Sequence, residues 1–267
     1  MFMQTPLERF YHWEKEAPEK IFLRQPFGGI WKTYTYRQAG QEIRKIAMAI
    51  HALDLVPGSK IALLSKNCAH WIMADLAIWM SGNITVPLYP TITAGTIRLI
   101  LDHSESSAIF VGKLDDYESQ KSGIPENVTK ITFPFYGVED ALQWDDLLEQ
   151  HNAYPGNFVP GLQDLATITY TSGTTGVPIG VMMTFESLSY SVSLAIDQIH
   201  EVVGIPNHPR LFSYLPLSHV AERMVIALFG LYEGGMISFA ESLETFGANL
   251  SDTKPHLFFG VPRIWAK

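Results

Sequence analysis

Residues Thr171–Val181 read TSGTTGVPIGV. Thr171, Ser172, Thr174 and Thr175 supply hydroxyls. Gly173, Gly176 and Gly180 let the backbone turn tightly and approach a ligand closely. Successive backbone N–H groups in such a loop can converge on an anion. That chemistry suits a polyphosphate. The string is not the lysine-bearing phosphate loop G-x-x-x-x-G-K-[ST], which leads into a helix. No lysine directly follows Gly176 or Gly180, and the VMMTF behind them reads as a strand. A hairpin turn rich in Thr and Gly is the alternative for any four of these residues. The whole string, placed after the β-rich TITYT, reads better as a ligand loop.

Other reactive side chains give less. Ser172 and Ser218 lack the G-x-S-x-G elbow of a hydrolase. His12, His51, His70, His103, His151, His200, His208 and His256 show no metal-ligand spacing, so no metal site is assigned. Glu222 and Arg223 read as a surface or intramolecular ion pair, worth ~0–1 kcal/mol if exposed. The mouth of a substrate tunnel is their alternative. Gly260, Pro262 and Arg263 read as a strand-to-helix turn, with Arg263 open between a ligand contact and an ion pair.

The elements that must position the loop alternate from Thr35 onward. Thr35 and Gln38 form a capping box, and Ile43, Ile46, Ala47, Ile50 and Leu53 keep helical spacing up to the stop at Pro57-Gly58. Ile61–Leu64 reads as a buried strand. Asn67 is placed to cap a helix running through Met80, which Gly82 ends. Strand Ile84–Tyr89, helix Ala94–Leu101 and strand Ala108–Val111 follow. Lys113–Lys130 reads as a polar surface excursion. Strands then fall at Ala166–Tyr170 and Gly180–Thr184, a helix at Glu186–Val203, strand Leu211–Leu215, helix Val220–Leu231, and strands Met236–Ala240 and Leu257–Val261. Short apolar strands separated by helices imply an α/β fold with mostly parallel β-sheets flanked by helices.

Composition fits that class. The 267 residues are 47% hydrophobic and 17% charged, enough to bury a sizeable core. The formal net charge of -8 argues against a nucleic-acid surface. Cys68 is the single cysteine, so no internal disulfide forms, in keeping with a reducing cytoplasm. The apolar runs near Trp71–Met80 and Met224–Tyr232 fall short of the ~18–20 residues of a spanning helix.

The loop string closely resembles the phosphate-binding signature of the adenylate-forming superfamily, which holds acyl-CoA synthetases, firefly luciferases and peptide-synthetase adenylation domains. WKTYTYRQAGQEI, MADLAIWMSGNITVPLYPT, YLPLSHVAERM (Tyr214–Met224) and FFGVPRIWAK (Phe258–Lys267) extend the resemblance over about Leu23 to Lys267. The last two resemble long-chain fatty acyl-CoA synthetases. The resemblance implies two steps: a fatty acid attacks ATP to give an acyl-adenylate, then coenzyme A displaces AMP, with Mg2+ bridging the phosphates. It places the ATP phosphates on Thr171, Ser172, Gly173, Thr174, Thr175 and Gly176. It places His219 at the substrate pocket near the α-phosphate, with a strand-end histidine hydrogen-bonded to backbone as the alternative; Tyr214 is open between the same pocket and the core. Small molecules are the implied partners, and a fatty-acid substrate leaves room for peripheral membrane contact in a cytoplasmic protein.

Two departures stand out. The family's lysine after the loop proline is Ile179 here, and a histidine common after Thr184 is Phe185. The family's later Y-G-x-[ST]-E and T-G-D segments, hinge and small C-terminal domain with its lysine are absent. The expectation is that residues 1–267 are the N-terminal portion of the AMP-binding domain and do not complete the reaction alone. The alternatives are a non-catalytic acyl- or nucleotide-binding relative and a ligase for another carboxylic acid.

Overall fold

Ala69–Met80 is apolar on nearly every side, and a helix of that kind belongs in an interior. The rest of the chain is arranged around it. The computed structural model describes residues 3–172 and 178–260. It opens with α1 (Pro6–Glu16), the hairpin β1 (Ile21–Phe27) and β2 (Ile30–Thr35), and α2 (Tyr36–His51). Then come β3 (Lys60–Leu64), α3 (Ala69–Met80), β4 (Ile84–Leu88), α4 (Ala94–Ser104) and β5 (Ser106–Val111). α5 (Tyr117–Gln120), β6 (Thr129–Thr132), β7 (Leu142–Gln143), α6 (Trp144–Gln150), β8 (Leu165–Ser172) and β9 (Pro178–Thr184) follow. The chain continues through α7 (Phe185–Val203), β10 (Arg210–Ser213), α8 (Val220–Glu222), a π-helical stretch Arg223–Leu228 and α9 (Phe229–Tyr232). β11 (Met236–Phe239) and α10 (Phe246–Thr253) are the last described elements.

The fold is α/β, as expected. A seven-stranded sheet runs in the order β7-β6-β5-β3-β4-β8-β9, parallel except at β8–β9. A four-stranded sheet runs β10-β11-β1-β2, with only β1–β2 antiparallel. One core joins them: Phe22, Leu211 and Ile237 of the smaller sheet and Leu63, Phe110 and Ala166 of the larger share it with α2 and α3. Alternate residues of the larger sheet, Leu64, Val86, Leu88 and Ile109, pack on the opposite face against α4. The period-two alternation of a strand thus sends one set of side chains to each layer.

Several expectations need correction. Asn67 does not cap α3: the N-cap is Cys68, with no side-chain bond. Asn67 instead reaches the other sheet, donating to Ser213 Oγ at 2.8 Å and Leu215 O at 2.5 Å and accepting from Leu217 N. Lys113–Lys130 is only partly an excursion, because it contains α5 and runs into β6. Leu257 makes a single bridge to Leu211 rather than a strand. The helix expected at Val220–Leu231 is interrupted by the π-helical stretch. Its first residues overturn the surface reading of Glu222 and Arg223. Glu222 is 1% and Arg223 3% exposed, and each pairs with other groups.

Arg223 Nη2 lies 2.7 Å from both carboxylate oxygens of Asp75, and Nη1 donates to Thr167 Oγ1 at 2.8 Å. Thr85 Oγ1 donates to Asp75 at 2.7 Å, and Thr167 Oγ1 to Thr85 O. The guanidinium sits 5.1 Å from the Trp79 ring centroid and 5.6 Å from that of Trp71. Burial pushes the Asp75 carboxyl above its ordinary range, and Arg223 and the Thr85 hydroxyl oppose that push. The cluster joins α3, β4, β8 and the π-helical stretch. Removing one partner leaves a buried charge uncompensated, so Arg223→Met is expected to cost ~3–5 kcal/mol in urea unfolding. A loss below about 1 kcal/mol, the range of an exposed pair, would show that the cluster does not hold these elements together.

Candidate active site

In an open parallel sheet, ligands gather beyond the C-terminal strand ends where successive connections leave on opposite faces. α3, which follows β3, lies in the core shared by the two sheets, whereas α4, which follows β4, covers the other face. A cavity of about 390 Å³ opens beyond the C-terminal ends of β4 and β8. Pro87, Leu88 and Tyr89 line it from β4 and the residue after it, Thr96 and Ile100 from α4. Tyr170, Thr171, Pro178 and His219 complete the wall, with Ile92. Its polar side chains are the hydroxyls of Tyr89, Thr96, Tyr170 and Thr171 and one imidazole; no Lys, Arg, Asp or Glu lines it among the described residues.

β8 and β9 form an antiparallel hairpin, with Thr171 opposite Ile179 and Ser172 opposite Pro178. Thr171 therefore stands on the cavity wall at the foot of the candidate phosphate loop. Gly173, Thr174, Thr175 and Gly176 lie outside the described residues, as does Arg263. Gly180 does not serve a ligand approach: a Cβ on it would stand 3.0 Å from Ile168 Cγ2 and 3.2 Å from Tyr170 Cζ. Its role is to let the Tyr170 ring lie across β9. Ile179 is 57% exposed, and Phe185 is buried edge-on against Trp79, with ring centroids 5.5 Å apart.

His219 is the N-cap of α8. Its Nδ1 accepts from Ala221 N at 3.1 Å, so the neutral ring carries its proton on Nε2. The side chain thus offers the cavity a hydrogen-bond donor. Tyr214 is not brought to this cavity. Its ring stacks on Phe258 at 5.5 Å and meets Phe246 edge-on at 5.1 Å.

The loop that delivers His219, residues 214–218, is held by two buried polar groups that the sequence reading did not assign to it. Asn67 grips Leu215 and Leu217 as described. Glu222 Oε1 accepts from Ser213 Oγ and Tyr214 N, each at 2.9 Å. Burial pushes the Glu222 carboxyl up to about 8, against the hydrogen bonds from Ser213 and Tyr214. Its Oε2 has no hydrogen-bond partner among the described residues.

The chain as a whole is similar to known proteins. The family described as "AMP-binding enzyme" matches residues 10–267. Fatty acyl-CoA synthetase A of Dictyostelium discoideum is 31% identical over 258 residues, 90% of this chain and 37% of that protein. Long chain acyl-CoA synthetase 1 of Arabidopsis thaliana is 28% identical over 96% of this chain and 40% of its own length. The chain thus spans well under half of these relatives. Among solved structures, an anthranilate CoA ligase in complex with anthranoyl-AMP superposes with a TM-score of 0.83 at 18% identity. That match covers 96% of this chain and 49% of the other, and at such identity it speaks for the fold alone.

The Glu222 carboxyl yields a pH prediction with a definite sign. Its folded pKa lies above its unfolded value near 4.5, so the native state keeps a proton that the unfolded state releases. The associated stability is full below about pH 4.5 and is lost as pH rises through about 8. Glu222→Gln keeps the acceptor for Ser213 and Tyr214 without a titrating proton. The wild type should lose stability relative to this variant across that window, with a slope approaching ~1.4 kcal/mol per pH unit. Parallel stability curves from urea melts at pH 5, 6, 7 and 8 would overturn the assignment.

Proposed function

The chain belongs to the AMP-binding enzyme family, and from that premise we propose that it is part of a long-chain fatty acid–CoA ligase. In the first step the fatty acid's carboxylate oxygen attacks the α-phosphorus of ATP, forming the acyl-adenylate and releasing pyrophosphate. In the second the thiol of coenzyme A attacks the acyl carbonyl, the thioester forms, and AMP leaves. The carboxylate by itself is a poor acyl donor; AMP is a good leaving group.

The observation that carries the reading is the cavity shared by Thr171 and His219 at the open ends of β4 and β8. Thr171, with Ser172, Gly173, Thr174, Thr175 and Gly176, is assigned to the phosphates. The Nε2–H of His219 is assigned to an oxygen of the carboxylate or α-phosphate, where a fixed donor stabilises developing charge without reorganising. Leu88, Ile92 and Ile100 give the cavity an apolar side. Mg2+ enters as the partner of the ATP phosphates; the described cavity walls hold no carboxylate for it, only hydroxyls such as that of Thr171. Tyr214 packs with Phe246 and Phe258 away from this cavity, so any part it plays at the substrate pocket is indirect. The names of the curated relatives support fatty acids over other acids.

Residues 1–267 are read as the N-terminal portion of the ligase's AMP-binding domain, on the strength of the 37% and 40% of the relatives' lengths that they span. The test is pyrophosphate exchange with palmitate, run on the full-length gene product and on the 267 residues alone. Full-length protein should exchange and prefer long aliphatic acids over benzoate, because each buried CH₂ contributes about 0.8 kcal/mol. The 267 residues alone should not exchange. His219→Ala should lower full-length exchange at least ~10-fold, with only the small drop in melting temperature that loss of an N-cap worth about 1 kcal/mol brings. Absence of exchange with any carboxylic acid would overturn the reading.

Ile179 favours one second reading, a relative that binds without turning over, since an exposed isoleucine stands opposite Thr171 where the resembling sequences carry a cation. Ile179→Lys separates the two. In a working ligase a charge-assisted hydrogen bond to polyphosphate is worth about 1.5–3 kcal/mol, so exchange should rise ~10-fold or more. Exchange that is unmeasurable in the wild type and also in the variant would favour the binding-only reading.

A further inference from the structure

The last turn of α4 touches the strand that leads into the candidate phosphate loop. His103 Nδ1 lies 2.7 Å from the Tyr170 hydroxyl, and the two rings meet edge to face at 87°. Tyr170 is 5% exposed, forms part of the cavity wall and immediately precedes Thr171. Its ring lies against the Cβ-free face of Gly180 on β9. One hydroxyl thus connects α4, β8 and β9.

The end of β8 needs such a tie. β4 and β8 are in register at Thr85–Thr167. Two residues further along β4 stands Pro87, which has no N–H to give to a ladder. From Ile168 to Ser172, β8 is registered only with β9, and β9 is the sheet's outer strand. This end of the hairpin has no ladder partner but its own second strand. The His103–Tyr170 hydrogen bond fixes it to α4, whose Thr96 and Ile100 line the same cavity.

We propose that His103 is a positioning residue: acting through the Tyr170 hydroxyl, it sets where Thr171 stands and so governs the nucleotide's phosphates, not the acid. The inference rests on the ligase reading above. His103 touches no substrate. The tyrosine hydroxyl also meets Ser104 at the end of α4, so losing it should cost at least as much as losing the His103 nitrogen, and losing both no more than losing the hydroxyl.

The experiment is steady-state pyrophosphate exchange by the full-length gene product, with ATP and palmitate varied separately. His103→Phe keeps a ring and removes the nitrogen. Tyr170→Phe removes only the hydroxyl. Each should raise the KM for ATP about five- to ten-fold, the scale of one neutral hydrogen bond, with the KM for palmitate unchanged within two-fold. The double variant should equal Tyr170→Phe. His103→Asn, whose amide can take the place of Nδ1, should recover most of the loss. Full ATP affinity in Tyr170→Phe, additive losses in the double variant, or equal rises in both KM values would overturn the proposal while leaving the ligase reading intact. A wild type without any exchange would overturn the ligase reading, and this inference with it.

Discussion

The Asp75–Arg223 pair is the constraint on which the remaining geometry depends. α3 is buried between the two sheets and carries one carboxylate in an otherwise apolar interior. A lone buried carboxylate costs several kcal/mol, so a cation has to meet it. Arg223 does so from the start of the π-helical stretch, and its fork also takes Thr167 of β8. An isolated pair of this kind adds little net stability over apolar residues of the same size. Its effect is on register. Only one arrangement of α3, β4, β8 and the helix after β10 satisfies Asp75, Thr85, Thr167 and Arg223 together.

The site inherits its geometry from that register. Glu222 precedes Arg223, so seating the guanidinium also seats the carboxyl that receives Tyr214 N and Ser213 Oγ. Asn67, just ahead of α3, holds the other side of the same loop through Leu215 and Leu217. His219 then emerges at the cavity as a helix N-cap, its tautomer set by a backbone amide. The groups that orient His219 are buried and polar: Glu222 from its own helix and Asn67 from the loop after β3.

This division explains what could be read in the sequence. The strand–helix alternation was legible because apolar periodicity is local, and the Thr35–Gln38 capping box is bonded as its spacing implies. The T-x-x-E box at Thr5–Glu8 carries the same signal for α1 and was passed over. The string Thr171–Val181 stands out because a run of glycines and hydroxyls serves no core; its assignment to phosphate is a proposal. Asn67, Glu222 and Arg223 were misread for one shared reason: adjacency suggested local partners, whereas their partners lie from 8 to 150 positions away. A signal did exist. Asp75 interrupts an apolar run long enough to be buried, and a carboxylate there calls for an arginine from elsewhere in the chain. His103 and Tyr170 carried no such signal. Their pairing follows from α4 lying against the end of β8, which no spacing in the sequence reveals.

Ile179 bears on how charge is handled at this site. It stands opposite Thr171 on the outer strand, where a long cationic side chain would extend beside the proposed phosphate loop from the solvent side. The described walls of the cavity offer no cation in its place. Backbone N–H groups and hydroxyls still stabilise a polyanion, because dipoles fixed in advance need no reorganisation when charge develops. Such a site depends more steeply on geometry than one with a mobile lysine, since a dipole's field falls off faster with distance than a charge's. A loop without its cation therefore has to be held more firmly. The single hydroxyl of Tyr170, fixed by His103 on one side and lying over Gly180 on the other, is the described feature that supplies this hold.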